Sequence, residues 1–105
     1  GTLTKETTWP EGDWRNTYFV PENLSRSVDR AEALRPIVPA GMTMPELALR
    51  FILQEPTAST IIPGMRKIRN VEANVAASDG RPLSADLVAE LRKHRWDRTP
   101  TSWSQ

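Results

Sequence analysis

Ser59-Thr60-Ile61-Ile62-Pro63-Gly64-Met65-Arg66-Lys67-Ile68-Arg69-Asn70-Val71-Glu72-Ala73-Asn74 is the stretch whose reading decides the fold. A short β-branched run breaks at Pro63-Gly64 and passes through three cations into a helical pattern. That order predicts a strand, a tight turn and a helix N-terminus. Unpaired backbone N–H groups and the positive end of a helix dipole coincide at such a place, so anions bind there readily. Gly64 lets backbone approach a ligand without a Cβ in the way. Arg66 can fork two hydrogen bonds onto a phosphate, and Lys67 adds a mobile point charge. The stretch therefore reads as a phosphate-binding corner. The competing reading is a solvated helix start, but cations there oppose the dipole unless an anion is present. Asn70 is placed either to cap the helix or to meet a ligand. Asn74 is a poor helix former in a helix interior, which fits a contact role.

Upstream, Thr43 and Glu46 make a capping box, and Pro45 sits in a first turn where its missing N–H costs nothing. Leu47, Ala48, Phe51 and Ile52 are the expected buried face of this helix, and Glu55-Pro56 stops it. An earlier helix is expected from Glu22, with Leu24, Val28, Ala31 and Leu34 as its stripe and Pro36 as its end. Before it, residues 1–22 show no period. Trp9, Trp14 and Tyr18 in that segment either pin a loop to a core or cover a ligand. Downstream, Asp79-Gly80-Arg81-Pro82 is a turn. Ser84 caps a last helix with Asp86 in its first turn and Leu87, Val88 and Leu91 facing inward. Residues 99–105 read as a disordered polar tail.

Residues 58–62 are apolar enough for a strand buried on both faces, yet no partner strand is visible. Two resolutions stand open. The chain is the terminal part of a larger α/β fold, or copies of it supply one another's missing strands.

Composition narrows the classes. The chain has 105 residues, 38% hydrophobic and 26% charged, with a formal charge of +1. So small a charge gives no broad field for nucleic acid, and any anion site must be local. Arg92, Lys93, Arg95 and Arg98 around Trp96 accordingly read as a solvated face. The sequence has no cysteine, which excludes disulfides and thiolate metal sites. No apolar run approaches the roughly 20 residues of a membrane span, and no signal-peptide pattern opens the chain. A cytoplasmic location is expected.

The run Thr43-Met44-Pro45-Glu46-Leu47-Ala48-Leu49-Arg50-Phe51-Ile52-Leu53, then Ile61-Ile62-Pro63-Gly64 and Asn70-Val71-Glu72-Ala73-Asn74, resembles the C-terminal part of the aldo-keto reductases, as does Leu91-Arg92-Lys93-His94-Arg95-Trp96. The resemblance implies an α/β fold, a partial (β/α)8 barrel that is mostly helical with one or two short strands. It implies that residues 1–22 are a remnant of the loop after the seventh strand, with Gly1, Leu3 and Lys5 along a pyrophosphate. Residues 23–98 would be a helix-helix-strand-helix-helix barrel segment, with residues 58–62 as the eighth strand. It further implies NADP(H) as cofactor, with Gly64, Arg66, Lys67 and Asn70 around the adenosine 2′-phosphate and Asn74 at the adenine. Ala73 stands where members often carry a carboxylate. The family reduces carbonyls by hydride transfer with an Asp, Tyr, Lys and His set from earlier strands, and none of those four positions can be found here. Tyr18, the sole tyrosine, and His94, the sole histidine, lie outside the motif. The chain by itself is expected to be inactive, with the rest of a barrel or further copies of itself as possible partners. The alternatives are a stand-alone phosphate-binding module and a self-associating helical assembly.

Overall fold

Helices alone make up the regular structure of the described residues, and all but the one at Ile68–Ala76, whose start carries no side-chain cap and no acid, begin where local chemistry favours it. The structure is a computed structural model that describes residues 3–97 and Pro100. Gly1, Arg98 and, Pro100 apart, the tail placed at residues 99–105 lie outside the described residues. The chain divides into two units, one running to Pro36 and resuming at His94, the other spanning Ile37–Lys93.

In the first unit, α1 is a single turn, Arg15–Tyr18. Asp13 sets its entry. One of its carboxylate oxygens accepts from the Arg15 backbone N–H at 2.9 Å, while the Arg15 guanidinium forks onto both oxygens at 2.9 and 2.6 Å. Around this turn Trp9 stacks on Phe19 with ring centroids 5.4 Å apart, and Tyr18 meets Phe19 edge-on at 4.8 Å. The aromatic segment thus packs upon itself. α2, Pro21–Ala33, starts with proline in its first turn and Glu22 behind it, which suits the dipole. Leu24 is buried as its spacing requires, along with Asn23. Lys5 pairs with Asp29 of α2, and Arg30 lies 4.5 Å over the Trp96 ring.

The second unit holds α3 (Met44–Leu53), α4 (Ile68–Ala76) and α5 (Ala85–Lys93). Thr43 caps α3, accepting from the Glu46 N–H at 3.2 Å, but only half of the expected capping box forms, because the Glu46 carboxylate turns to Arg50. The buried face of α3 differs from the expected one. Leu47 is 2% exposed and Phe51 half-buried, but Ala48 and Ile52 face outward, and Arg50 is only 5% exposed. The inward stripe is 47, 50, 51 and 54, spaced at three and four residues. It is rotated from the all-apolar choice because a turn beyond α4 offers Arg50 a full set of acceptors.

Residues 58–62, expected as a buried strand, carry no strand pairing among the described residues, and Ile62 is 96% exposed. The reason is elementary: a strand's backbone groups need a second strand, and among the described residues none pairs with this segment. α5 is capped by Ser84, whose hydroxyl oxygen accepts from the Leu87 N–H at 3.3 Å. Arg92 and Lys93 in its last turn complement the dipole. The Gln54 side chain accepts from the Leu83 N–H at 3.2 Å, tying the end of α3 to the approach of α5. Leu47, Ala77 and Leu83 are the buried apolar residues of this unit.

Candidate functional site

The corner at Gly64 takes its shape from where α4 begins. Lys67, not Asn70, is the capping position: it is extended, with φ −115° and ψ 139°. Its carbonyl accepts from the N–H groups of Asn70 and Val71 at 2.9 and 3.2 Å. Asn70 therefore lies inside the first turn, and the expectation that it caps the helix is corrected. The helix nucleates earlier because Lys67 already supplies the first accepting carbonyl. No side chain caps α4, and its first turn carries no acidic residue. The leading N–H groups of a helix have no partner within it, so here they face outward without a carboxylate.

Three cations surround this helix tip. Arg66, Lys67 and Arg69 are exposed, and among the described residues none of them engages in an ion pair or side-chain hydrogen bond. Elsewhere the chain pairs its cations readily, as in Arg35 with Glu32 at 2.6 Å and Lys93 with Glu90 at 2.6 Å. Gly64 has open space where a Cβ would stand and is not in the left-handed region, so the free chain does not need glycine there. Asn74, half-buried, donates from Nδ2 to the Gly64 carbonyl at 3.2 Å. Of the residues singled out in the sequence, Gly64 and Asn74 are thus in direct contact. The side chains of Arg66, Lys67 and Asn70 sit at the helix tip without hydrogen bonds to one another; only the backbone bond from the Asn70 N–H to the Lys67 carbonyl joins two of them.

Among the described residues the tip offers two or three exposed cations, unpaired leading N–H groups and no acid in the first turn, Glu72 lying further along α4, and such a donor set suits an anion. A cleft of about 660 Å³ exists elsewhere in this unit, lined by Phe51, Ile52, Pro56, Pro82, Val88 and Arg92 among others. None of the corner residues lines it. Among the described residues there is no cluster of His, Asp or Glu able to hold a metal ion, and no helix is long and apolar enough to cross a membrane. Lys5 forms an exposed ion pair with Asp29 of α2.

Sequence reasoning missed Arg50. Its guanidinium donates to Glu46 at 2.9 Å, to both oxygens of Asp79 at 2.7 and 3.0 Å and to the Arg81 carbonyl at 3.0 Å. Asp79 in turn accepts from the Arg81 N–H at 3.0 Å. The hydrogen bonds from Arg50, then those from Arg81, hold the Asp79 carboxyl far below its ordinary range, and Asp79 with Glu46 holds the Arg50 guanidinium protonated. The available signal was an arginine at helical spacing from Leu47, followed at a distance by an Asp-Gly turn.

The chain is 22% identical over 76 residues to the uncharacterized oxidoreductase YqkF of Bacillus subtilis (strain 168), an alignment covering 72% of this chain and 24% of that protein. The chain thus spans about a quarter of that relative's length. No solved structure matches it. The model of the aldo/keto reductase family matches residues 3–95, nearly the whole length, and on that match the chain belongs to the aldo/keto reductase family.

Proposed function

We propose that this chain is the C-terminal, adenosine-phosphate-binding part of an NADP(H)-dependent carbonyl reductase. The observation that carries the reading is the helix tip of α4, where Arg66, Lys67 and Arg69 stand without carboxylate partners before an uncapped, acid-free first turn. Arg66 forks onto the 2′-phosphate and Lys67 neutralises it, while the leading N–H groups of α4 donate to its oxygens. Asn74 holds the Gly64 carbonyl with Nδ2 and keeps its Oδ1 for the adenine amino group. Bound NADPH supplies the hydride for carbonyl reduction. Residues 58–62 become the eighth strand of a (β/α)8 barrel once neighbouring strands lie alongside, which accounts for the exposure of Ile62. Residues 23–98 form the barrel segment, and residues 1–22 belong to the loop after the seventh strand. The chain by itself does not turn over substrate, because no acid is placed to protonate a carbonyl oxygen.

Titration with adenosine 2′-monophosphate and adenosine 5′-monophosphate tests the reading. The 2′-compound is expected to bind more tightly, and Arg66→Ala to weaken it about tenfold or more, as loss of a charge-assisted hydrogen bond predicts. Equal binding of the two nucleotides, or an unaffected Arg66→Ala variant, removes the proposal.

Exposed apolar side chains favour a second reading, self-association of the helices. Ile62 is 96% and Ile68 79% exposed, more than isolated surface residues warrant. A sedimentation measurement that finds only monomer across a wide concentration range excludes it.

A further inference from the structure

We infer that Arg50 is a positioning residue for the Gly64 corner, acting through Asp79 to set the direction in which α4 points. The argument starts from how little else holds this helix. α4 contains no buried residue, and its apolar stripe of Ile68, Val71 and Val75 faces outward, Ile68 at 79% and Val75 at 64% exposed. It packs against α3, and the buried residue nearest to it is Ala77, just past its end. Apolar packing therefore leaves its orientation weakly determined. Two polar ties remain. At the far end Asp79, three residues beyond Ala76, is gripped by the Arg50 guanidinium through both carboxylate oxygens, and Arg50 also takes the Arg81 carbonyl. Asn74, in the last turn of α4 itself, holds the Gly64 carbonyl alongside the helix.

A bidentate guanidinium–carboxylate pair fixes direction as well as distance. Arg50 is itself fixed by Glu46, one turn earlier on α3, and is shielded from water. The intervening helix is a rod of nine residues, about 13 Å long. A tilt of about 10° at the clamp moves its tip by about 2 Å, enough to misplace a set of hydrogen-bond donors. Gly80, with φ +79°, makes the turn that turns Asp79 and the Arg81 carbonyl onto the same guanidinium, a backbone angle other residues adopt only with strain.

The positioning role stands on contacts within the chain; its use in binding rests on the phosphate reading above. The test compares the whole 105-residue chain with Arg50→Lys and Asp79→Asn, each measured by amide NMR well below its thermal midpoint. Lysine keeps the charge and asparagine keeps an acceptor, but both lose the two-point grip. The expected result is a shift of the Asn74 side-chain amide and the Gly64 and Met65 backbone amides, with adenosine 2′-monophosphate bound about threefold to tenfold more weakly. Changes confined to the neighbourhood of residues 50 and 79–83 in either folded variant overturn the inference, whatever happens to stability. Shifted corner signals in a chain whose wild type ignores adenosine 2′-monophosphate uphold the clamp and remove the phosphate reading, so the two fail separately.

Discussion

At the scale of single residues, three carboxylates carry the acid sensitivity of the fold: Asp13, Asp79 and Glu32, the last lowered by its hydrogen bonds from Arg35. The Arg15 side chain, then its backbone N–H, lowers the Asp13 carboxyl to about 2, and Arg50 with Arg81 lowers Asp79 further. A carboxylate whose folded value lies below its unfolded value, about 3.9 for aspartate, contributes stability above that value and loses it as pH falls through the folded one. The thermal midpoint is therefore expected to be flat above about pH 5 and to fall as pH drops from about 4 toward 2. Asp79→Asn should start lower and show a shallower fall; identical slopes in the two proteins would mean that Asp79 is not held by Arg50 in solution. Thr43→Ala removes the oxygen that accepts from Glu46 and is expected to cost about 1 kcal/mol in chemical denaturation. Gly64→Ala gives the opposite pattern: with open space around it, stability should stay within about 0.5 kcal/mol, while affinity for a 2′-phosphorylated adenosine drops if backbone approaches the ligand there.

Elements differ in how firmly they are held. α3 is buried through Leu47, and Leu47→Ala is expected to cost about 2–5 kcal/mol, with loss of cooperative unfolding as the readout. α4 has the reverse character, with apolar side chains outside and polar ties inside. The paired change Ile68→Lys with Val75→Lys removes no buried contact, so the thermal midpoint should hold while binding of a hydrophobic dye falls severalfold. A large loss of stability would mean that the stripe is packed in solution. α3 and α5 were legible because their signals are local: Thr43 and Ser84 each announce a start within four residues of sequence, whereas the single turn α1 in the segment without period left no such mark. The start of α4 was misjudged because Lys67 caps through its backbone carbonyl, which leaves no mark on side-chain identity.

For the molecule as a whole, membership in the aldo/keto reductase family is shown by the match over residues 3–95, while the barrel and the cofactor are proposals that demand more chain than is here. The most direct check supplies the missing neighbours: mixing this chain with the preceding portion of a family barrel is expected to restore NADPH-dependent carbonyl reduction, and the chain alone to show none. Turnover by the isolated chain would overturn the view that Tyr18 and His94 stand outside the chemistry. The sequence could nominate Gly64, Arg66 and Lys67 for the proposed site because a glycine followed by cations at a helix start suits an anion. It could not nominate the Arg50–Asp79 grip, because that joins residues 29 apart in sequence, and no periodicity reports a contact of that range.

Sequence alone determined the starts of α3 and α5 and the run of Arg66, Lys67 and Arg69 after Gly64, since these follow from neighbours within a turn of chain, and composition alone the absence of cysteine chemistry. Tertiary structure alone decided which face of α3 turns inward, because burying Arg50 is tolerable only where Glu46, Asp79 and the Arg81 carbonyl converge on it. It also decided that residues 58–62 do not pair as a strand here, because β structure is a property of two segments and β-branched side chains in one of them cannot provide the other.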